Sequence, residues 1–150
     1  MQIKPIQKLT GTFSIPSDKS ISHRSVMLGS LALGTTRITN FLMGDDCLST
    51  IRCFKQLGVH IEIEGDTVTV EGKGLHGLVK SNEILDCGNS GTTVRLISGI
   101  LAGQDFPSTL TGDASIQKRP MNRIIKPLSE MGTQIKAKED NFCPMTIDPQ

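Results

Sequence analysis

The sequence predicts an α/β fold made of about two copies of one β-α-β-α-β-β unit. Three observations carry this reading. Segments with helical apolar spacing alternate with short segments in which apolar and polar residues alternate. Residues 57–63 (L-G-V-H-I-E-I) and 131–137 (M-G-T-Q-I-K-A) repeat one pattern at an offset of 74. The first helix of each half ends on a small or apolar residue followed by glycine, at 33–34 and 102–103. A pattern that returns in order implies stacked copies of one supersecondary unit. Residues 1–15 are assigned to a strand entering from outside, 16–76 to the first unit and 77–150 to the second, with Gly72 to Gly77 as the linker.

The elements follow in order. Residues 8–15 (K-L-T-G-T-F-S-I) read as the entering strand. Ile21, Val26, Met27, Leu28, Leu31 and Leu33 fit the inward face of a mostly buried helix that ends at Gly34. Residues 36–41 alternate like a strand. Asp45 and Asp46 suit the first turn of a helix whose inward face is Cys47, Leu48, Ile51, Phe54 and Leu57, and which stops at Gly58. Residues 59–70 alternate around Gly65-Asp66, which predicts a β-hairpin. In the second half, residues 83–87 form a strand. A helix after Gly88-Asn89-Ser90 turns Val94, Ile97, Ile100 and Leu101 inward and ends near Gly103. Residues 108–112 form a strand, and a helix runs from Pro120 to Gly132, bent or interrupted at Pro127. A hairpin of residues 133–138 with a return strand near 145–147 closes the unit.

Bulk properties narrow the function. With 150 residues, 37% hydrophobic and 21% charged, the chain is an ordinary globular domain, long enough for a real core. A net charge of +1 favours neither nucleic acid nor a membrane surface, and without Trp or Tyr there is no base-stacking platform. No stretch is long and apolar enough to span a bilayer and the start is not a signal peptide, so a cytoplasmic location is expected. Cys47, Cys53, Cys87 and Cys143 lack a C-x-x-C spacing and read as reduced, mostly buried residues. His23, His60 and His76 share no metal-like spacing, so no metal is expected.

The chemistry-bearing residues collect at helix starts: residues 18–24 (D-K-S-I-S-H-R), 88–95 (G-N-S-G-T-T-V-R) and 117–120 (Q-K-R-P). A helix N-terminus presents free N–H groups and a positive dipole end, so it suits an anion. Adding Lys19, Arg24, Arg95, Lys118 and Arg119 there makes sense for a strongly anionic ligand such as a phosphate or carboxylate. Ser20 and Arg24, four apart, share one helix face. Ser17 or Ser20 can instead be a plain N-cap, with Lys19 and Arg24 solvated. Asn89 or Ser90 can cap the third helix, and Gly91 lets a ligand approach the backbone. Arg119 lies just outside a helix start, where its guanidinium could take an oxyanion bidentately, although most such arginines are surface charges. Asp45 and Asp46, being sequence neighbours, do not face each other and read as dipole-compensating acids.

Taken together, residues 18–25, 34–42, 45–46, 57–59, 88–96, 110–113 and 119–121 resemble the start of the 3-phosphoshikimate 1-carboxyvinyltransferases (EPSP synthases), in family order through nearly the whole chain. The resemblance implies the enolpyruvyl transferase fold, an inside-out α/β barrel of six such units in two domains. It implies transfer of the enolpyruvyl group of phosphoenolpyruvate to the 5-hydroxyl of shikimate 3-phosphate, releasing phosphate, in the shikimate route to aromatic amino acids. No cofactor and no metal is implied, and the full-length protein is expected to be a monomer.

By matching positions, Lys19 would touch both substrates, and Ser20 and Arg24 would hold shikimate 3-phosphate. Asn89, Gly91 and Arg119 would line the phosphoenolpyruvate site, with Thr92 and Arg95 nearby. The sequence departs from well-known glyphosate-sensitive members at Ser90 and Leu96, where they carry alanine and proline. The family's acid/base carboxylates would lie beyond Gln150, so the 150-residue chain alone is expected not to turn over substrate. Two rival readings are the related UDP-N-acetylglucosamine enolpyruvyltransferase and a non-catalytic anion-binding fragment. The stretch D-K-S-I-S-H-R argues against the former, which has a lysine-asparagine pair there.

Overall fold

The computed structural model describes residue 5, residue 8 and residues 10–148. The elements, in chain order, are α1 (Lys19–Leu31), β1 (Leu33–Ile38), α2 (Asp45–Gln56), β2 (His60–Glu64), β3 (Thr67–Lys73), β4 (Leu85–Asp86), α3 (Gly91–Leu101), β5 (Ser108–Thr111), a 3₁₀ turn (Ile116–Lys118), α4 (Asn122–Glu130), β6 (Gln134–Lys138) and β7 (Phe142–Asp148). They form two sheets of matching layout. The first runs β1-β3-β2 and the second β4-β5-β7-β6, so β5, β7 and β6 occupy the places of β1, β3 and β2. Every pairing is antiparallel except β4 with β5.

The repeat reaches the hydrogen bonds. After α2, Gly58 at φ +85° and Val59 donate to the carbonyls of Lys55 and Phe54. After α4, Gly132 at φ +103° and Thr133 donate to Ser129 and Leu128 in the same pattern, 74 residues on. Glycine at this αL position is what such a helix stop requires. The predicted hairpin of β2 and β3 turns at Gly65, φ +61°. Most of the predicted apolar faces, Ile51, Phe54, Leu57, Val94, Ile97 and Leu101 among them, lie in one core with Leu110, Met145 and Ile147.

Four expectations are corrected. Residues 10–15 form no strand, and Phe13 and Ile15 are 78% and 71% exposed. A strand needs a neighbour for its N–H and C=O groups, and among the described residues β1 pairs only with β3. Leu9 and residues 1–4, 6 and 7 of that assignment lie outside the described residues.

The second correction concerns α1, which stops at Leu31, with Gly34 inside β1. Its buried side is small and polar, with Ser22, Gly29 and Ser30 beside Val26 and Met27, while Ile21, Leu28 and Leu33 are exposed. The reason is close backbone packing: a Cβ on Gly72 would sit 2.2 Å from the Ala32 carbonyl oxygen and 2.5 Å from that of Gly29. Gly72 therefore belongs to β3, and the connection to the second unit starts at Gly74 and runs on to residue 84, just before β4.

Third, α4 begins at Asn122, not Pro120. The free amides of Met121 and Asn122 donate to Asn141 Oδ1 at 3.0 and 2.9 Å, a cap supplied by the distant β6–β7 turn. Fourth, of the two effects expected at Pro127, a bend or an interruption, the interruption does not occur, and α4 continues to Glu130. It has no fully buried residue, and on such a surface helix the carbonyl freed by proline can be solvated.

Among the described residues, no helix is long and apolar enough to cross a membrane. All four cysteines are buried free thiols. Burial pushes the Cys143 thiol up to about 11, a hydrogen bond with Cys53 and burial raise Cys87, and burial raises Cys47. The folded chain should therefore react slowly with a thiol reagent such as DTNB at pH 8, and all four thiols should react promptly in denaturant. Fast stoichiometric labelling of the native chain would contradict this burial.

Candidate functional site

Three helix starts meet on one side of the core. At α1, Asp18 is the N-cap, its Oδ1 accepting the Ile21 amide at 2.6 Å, while Ser17 bonds Asn40 at 3.0 Å. Ser20 is thus not spent on capping. Ser20 and Arg24 are both exposed, and neither has a side-chain hydrogen bond or ion pair among the described residues. Lys19 pairs with the Asp46 carboxylate of α2. The sequence reading missed this: Asp46 does compensate the dipole in the first turn of α2, but it also holds the lysine. Its spacing from Lys19 is not local, so only the fold brings the two together.

At α3, Ser90 is the cap and accepts the Thr93 amide at 3.1 Å. Asn89 is free for another task, accepting the Arg119 guanidinium at 2.8 Å. Arg119 is half-buried and also reaches Ser115 Oγ at 3.3 Å. Arg95 donates to the Pro120 carbonyl at 3.3 Å. Both guanidinium groups close on Gly91. A Cβ added there would lie 2.8 Å from Arg95 Nη1 and 3.1 Å from Arg119 Nη1. Glycine at this first helical position leaves that space to the cations, and a Cβ there would push the two flexible guanidinium ends aside.

Among the described residues neither Arg95 nor Arg119 forms an ion pair. Two like charges at the positive end of a helix repel each other and the dipole. Hydrogen bonds to neutral oxygens of Asn89, Ser115 and Pro120 orient them without neutralising them. Positive charge at a helix N-terminus is an arrangement that suits an anion.

The two clusters are joined inside the molecule. The Asp46 backbone carbonyl lies 3.2 Å from Thr93 Oγ1, so the residue that holds Lys19 also touches the first turn of α3. The structure thus brings Asn89, Gly91, Arg95 and Arg119 together, with Lys19 one residue away through Asp46. Thr92, partly buried, stands in the same first turn. Lys118 is exposed in the 3₁₀ turn and takes no part in these contacts.

A family model described as EPSP synthase (3-phosphoshikimate 1-carboxyvinyltransferase) matches residues 3–150. The chain belongs to the EPSP synthase family. A 3-phosphoshikimate 1-carboxyvinyltransferase of Thermoanaerobacter sp. (strain X514) is 60% identical over 147 residues, 98% of this chain and 34% of the relative. One from Shouchella clausii is 59% identical over 93% of this chain and 33% of the relative. A solved EPSP synthase structure from Acinetobacter baumannii matches with a TM-score of 0.89 and 50% identity, covering 93% of this chain and 32% of that one. The chain therefore spans about a third of the length of these family members, and its fold is a partial enolpyruvyl transferase fold.

Proposed function

We propose that this chain supplies one wall of the substrate site of an enolpyruvyl transferase acting on phosphoenolpyruvate and shikimate 3-phosphate. The observation that carries the reading is the two guanidinium groups, Arg95 and Arg119, which close on Gly91 at the tip of α3 with no ion pair among the described residues. Asn89, Gly91 and Arg119 hold phosphoenolpyruvate, with Thr92 and Arg95 beside it. Ser20 and Arg24 hold shikimate 3-phosphate, and Lys19 reaches both. Asp46 pairs with Lys19 and orients it.

In the reaction, the 5-hydroxyl of shikimate 3-phosphate gives up its proton as its oxygen bonds to C2 of phosphoenolpyruvate, and C3 takes a proton. The resulting tetrahedral adduct loses phosphate from C2 and a proton from C3, which restores the C2=C3 double bond and leaves the product as an enol ether. The chain's cations stabilise charge on the departing phosphate, a stabilisation that grows in a site closed to water. The proton-transfer groups are not among these residues, so the 150-residue chain binds anions without turnover. The membrane and nucleic acids play no part, and the cytoplasm is the proposed location.

Calorimetry of the chain with shikimate 3-phosphate, paired with a phosphate-release assay, tests this. Binding without turnover is expected, and release dependent on both substrates would refute the division of labour. In a full-length enzyme carrying this sequence, Arg24→Ala should weaken shikimate 3-phosphate binding by about 2–3 kcal/mol, the loss of a charge-assisted hydrogen bond. Unchanged affinity would make Arg24 an ordinary surface charge.

A further inference from the structure

Behind the anion-facing residues lies a buried polar chain that the reaction does not use directly. His23 Nδ1 lies 2.7 Å from Thr50 Oγ1, Thr50 Oγ1 lies 2.7 Å from Thr93 Oγ1, and Thr93 Oγ1 lies 2.6 Å from Ser90 Oγ. All four side chains are fully buried, in a core that is otherwise largely aliphatic. The chain crosses from α1 through α2 to the cap of α3. Burying four polar groups is costly unless each bond is made, and apolar residues of the same shape would pack without that risk. Directional bonds offer what apolar packing does not, a fixed height and rotation of one helix against another.

We propose that Thr93, with Thr50 and His23 behind it, is a positioning residue for the tip of α3. It holds the Ser90-capped turn, and with it Gly91 and Asn89, at the height where phosphoenolpyruvate is gripped. This rests on the assignment of that ligand to α3 made above.

The hydrogen bonds run consistently with His23 neutral and its proton on Nδ1. Nδ1–H donates to Thr50 Oγ1, the Thr50 hydroxyl donates to Thr93 Oγ1, and the Thr93 hydroxyl donates to Ser90 Oγ, with the Asp46 carbonyl 3.2 Å away as a second acceptor. With its single hydroxyl proton directed to Ser90 Oγ or the Asp46 carbonyl, Thr93 can only accept from Thr50. Nε2 is left as a buried lone pair without a partner among the described residues. Burial, and then the nearby Lys19 charge, hold the imidazole neutral against the opposing pull of Asp46. Ser90 Oγ receives both the hydroxyl and the amide of Thr93, so the cap's rotamer is set by a single residue. Through the Asp46 carbonyl, the same hydroxyl also abuts the residue that holds Lys19.

The test uses a full-length enzyme carrying this sequence and compares Thr93→Val, which keeps the shape and removes the hydroxyl, with Thr93→Ser, which keeps the hydroxyl. Thr93→Val should raise KM for phosphoenolpyruvate about tenfold, the scale of one lost hydrogen bond, and change that for shikimate 3-phosphate less than about twofold. Thr93→Ser should restore the parent KM to within about twofold. A purely structural role would lower Tm and leave the two KM values in their parent ratio, and that outcome overturns the proposal. So does a Thr93→Ser variant as impaired as Thr93→Val. Should Thr93→Val fail to fold, Thr50→Val decides: one bond further back, it should raise the same KM selectively, and an unchanged KM rejects the relay. A parent enzyme with no phosphate release dependent on both substrates would instead sink the functional assignment itself, and this inference with it.

Discussion

Arg119→Ala in a full-length enzyme carrying this sequence is expected to weaken phosphoenolpyruvate binding by about 2–3 kcal/mol, with little change in thermal stability. Each charge-assisted hydrogen bond to an anion is worth about 1.5–3 kcal/mol, and a guanidinium can make two. The stability side follows from geometry. Arg119 bonds Asn89 Oδ1 and Ser115 Oγ, and Asn89 is exposed, so water can replace the lost partner. Removing Arg119 also relieves its repulsion with Arg95, which offsets part of any loss. Arg119→Lys should recover charge but not the fork, and so only part of the affinity. Isothermal calorimetry with phosphoenolpyruvate alongside a thermal melt measures both sides. Unaltered affinity would show Arg119 to be a structural strut for Asn89 and remove it from the site.

How much of this was legible in the chain varies by feature. The repeat was readable because its marks are local: Gly58 and Gly132 stop their helices by the same left-handed cap, which the residues themselves dictate. The helix-start cations were readable for a similar reason, since Lys19, Arg24 and Arg95 sit within a turn or two of a capping residue.

The partners of those cations were not readable. Lys19 meets Asp46 only after α1 packs on α2, and Arg119 meets Asn89 only when the β5 end returns beside the β4 end. The burial of α1 was misjudged because apolar periodicity rewards large residues, whereas here Gly29 and Gly72 let two backbones touch. His23 gave no signal as one lone histidine. Its meaning lies in Thr50 and Thr93, and a threonine in a helix is silent until a partner faces it.

The second large effect is expected from Gly112→Ala, at the end of β5. A Cβ there would lie 2.3 Å from the Gly88 carbonyl oxygen and 3.0 Å from Ile116, itself fully buried. No rotamer change relieves a contact with backbone, so the loop must move. Overpacking of this kind costs about 1–3 kcal/mol, and the rigid neighbour puts it near the top of that range. For a chain of this size that corresponds to a fall in Tm of roughly 6–12 °C. The direction of the movement matters more than its energy. The Gly88 carbonyl accepts the Asp113 amide at 3.0 Å, and Gly88 leads directly into Asn89, Ser90 and Gly91. Pushing it aside displaces the loop that leads to the cap of α3 and to Asn89, the partner of Arg119, so affinity for phosphoenolpyruvate should fall together with stability. Gly99→Ala is the control, because a Cβ there meets nothing within 4 Å and alanine favours the helix. A melt in which Gly112→Ala matches Gly99→Ala would mean that β5 and the α3 loop are not in the contact that places the binding residues.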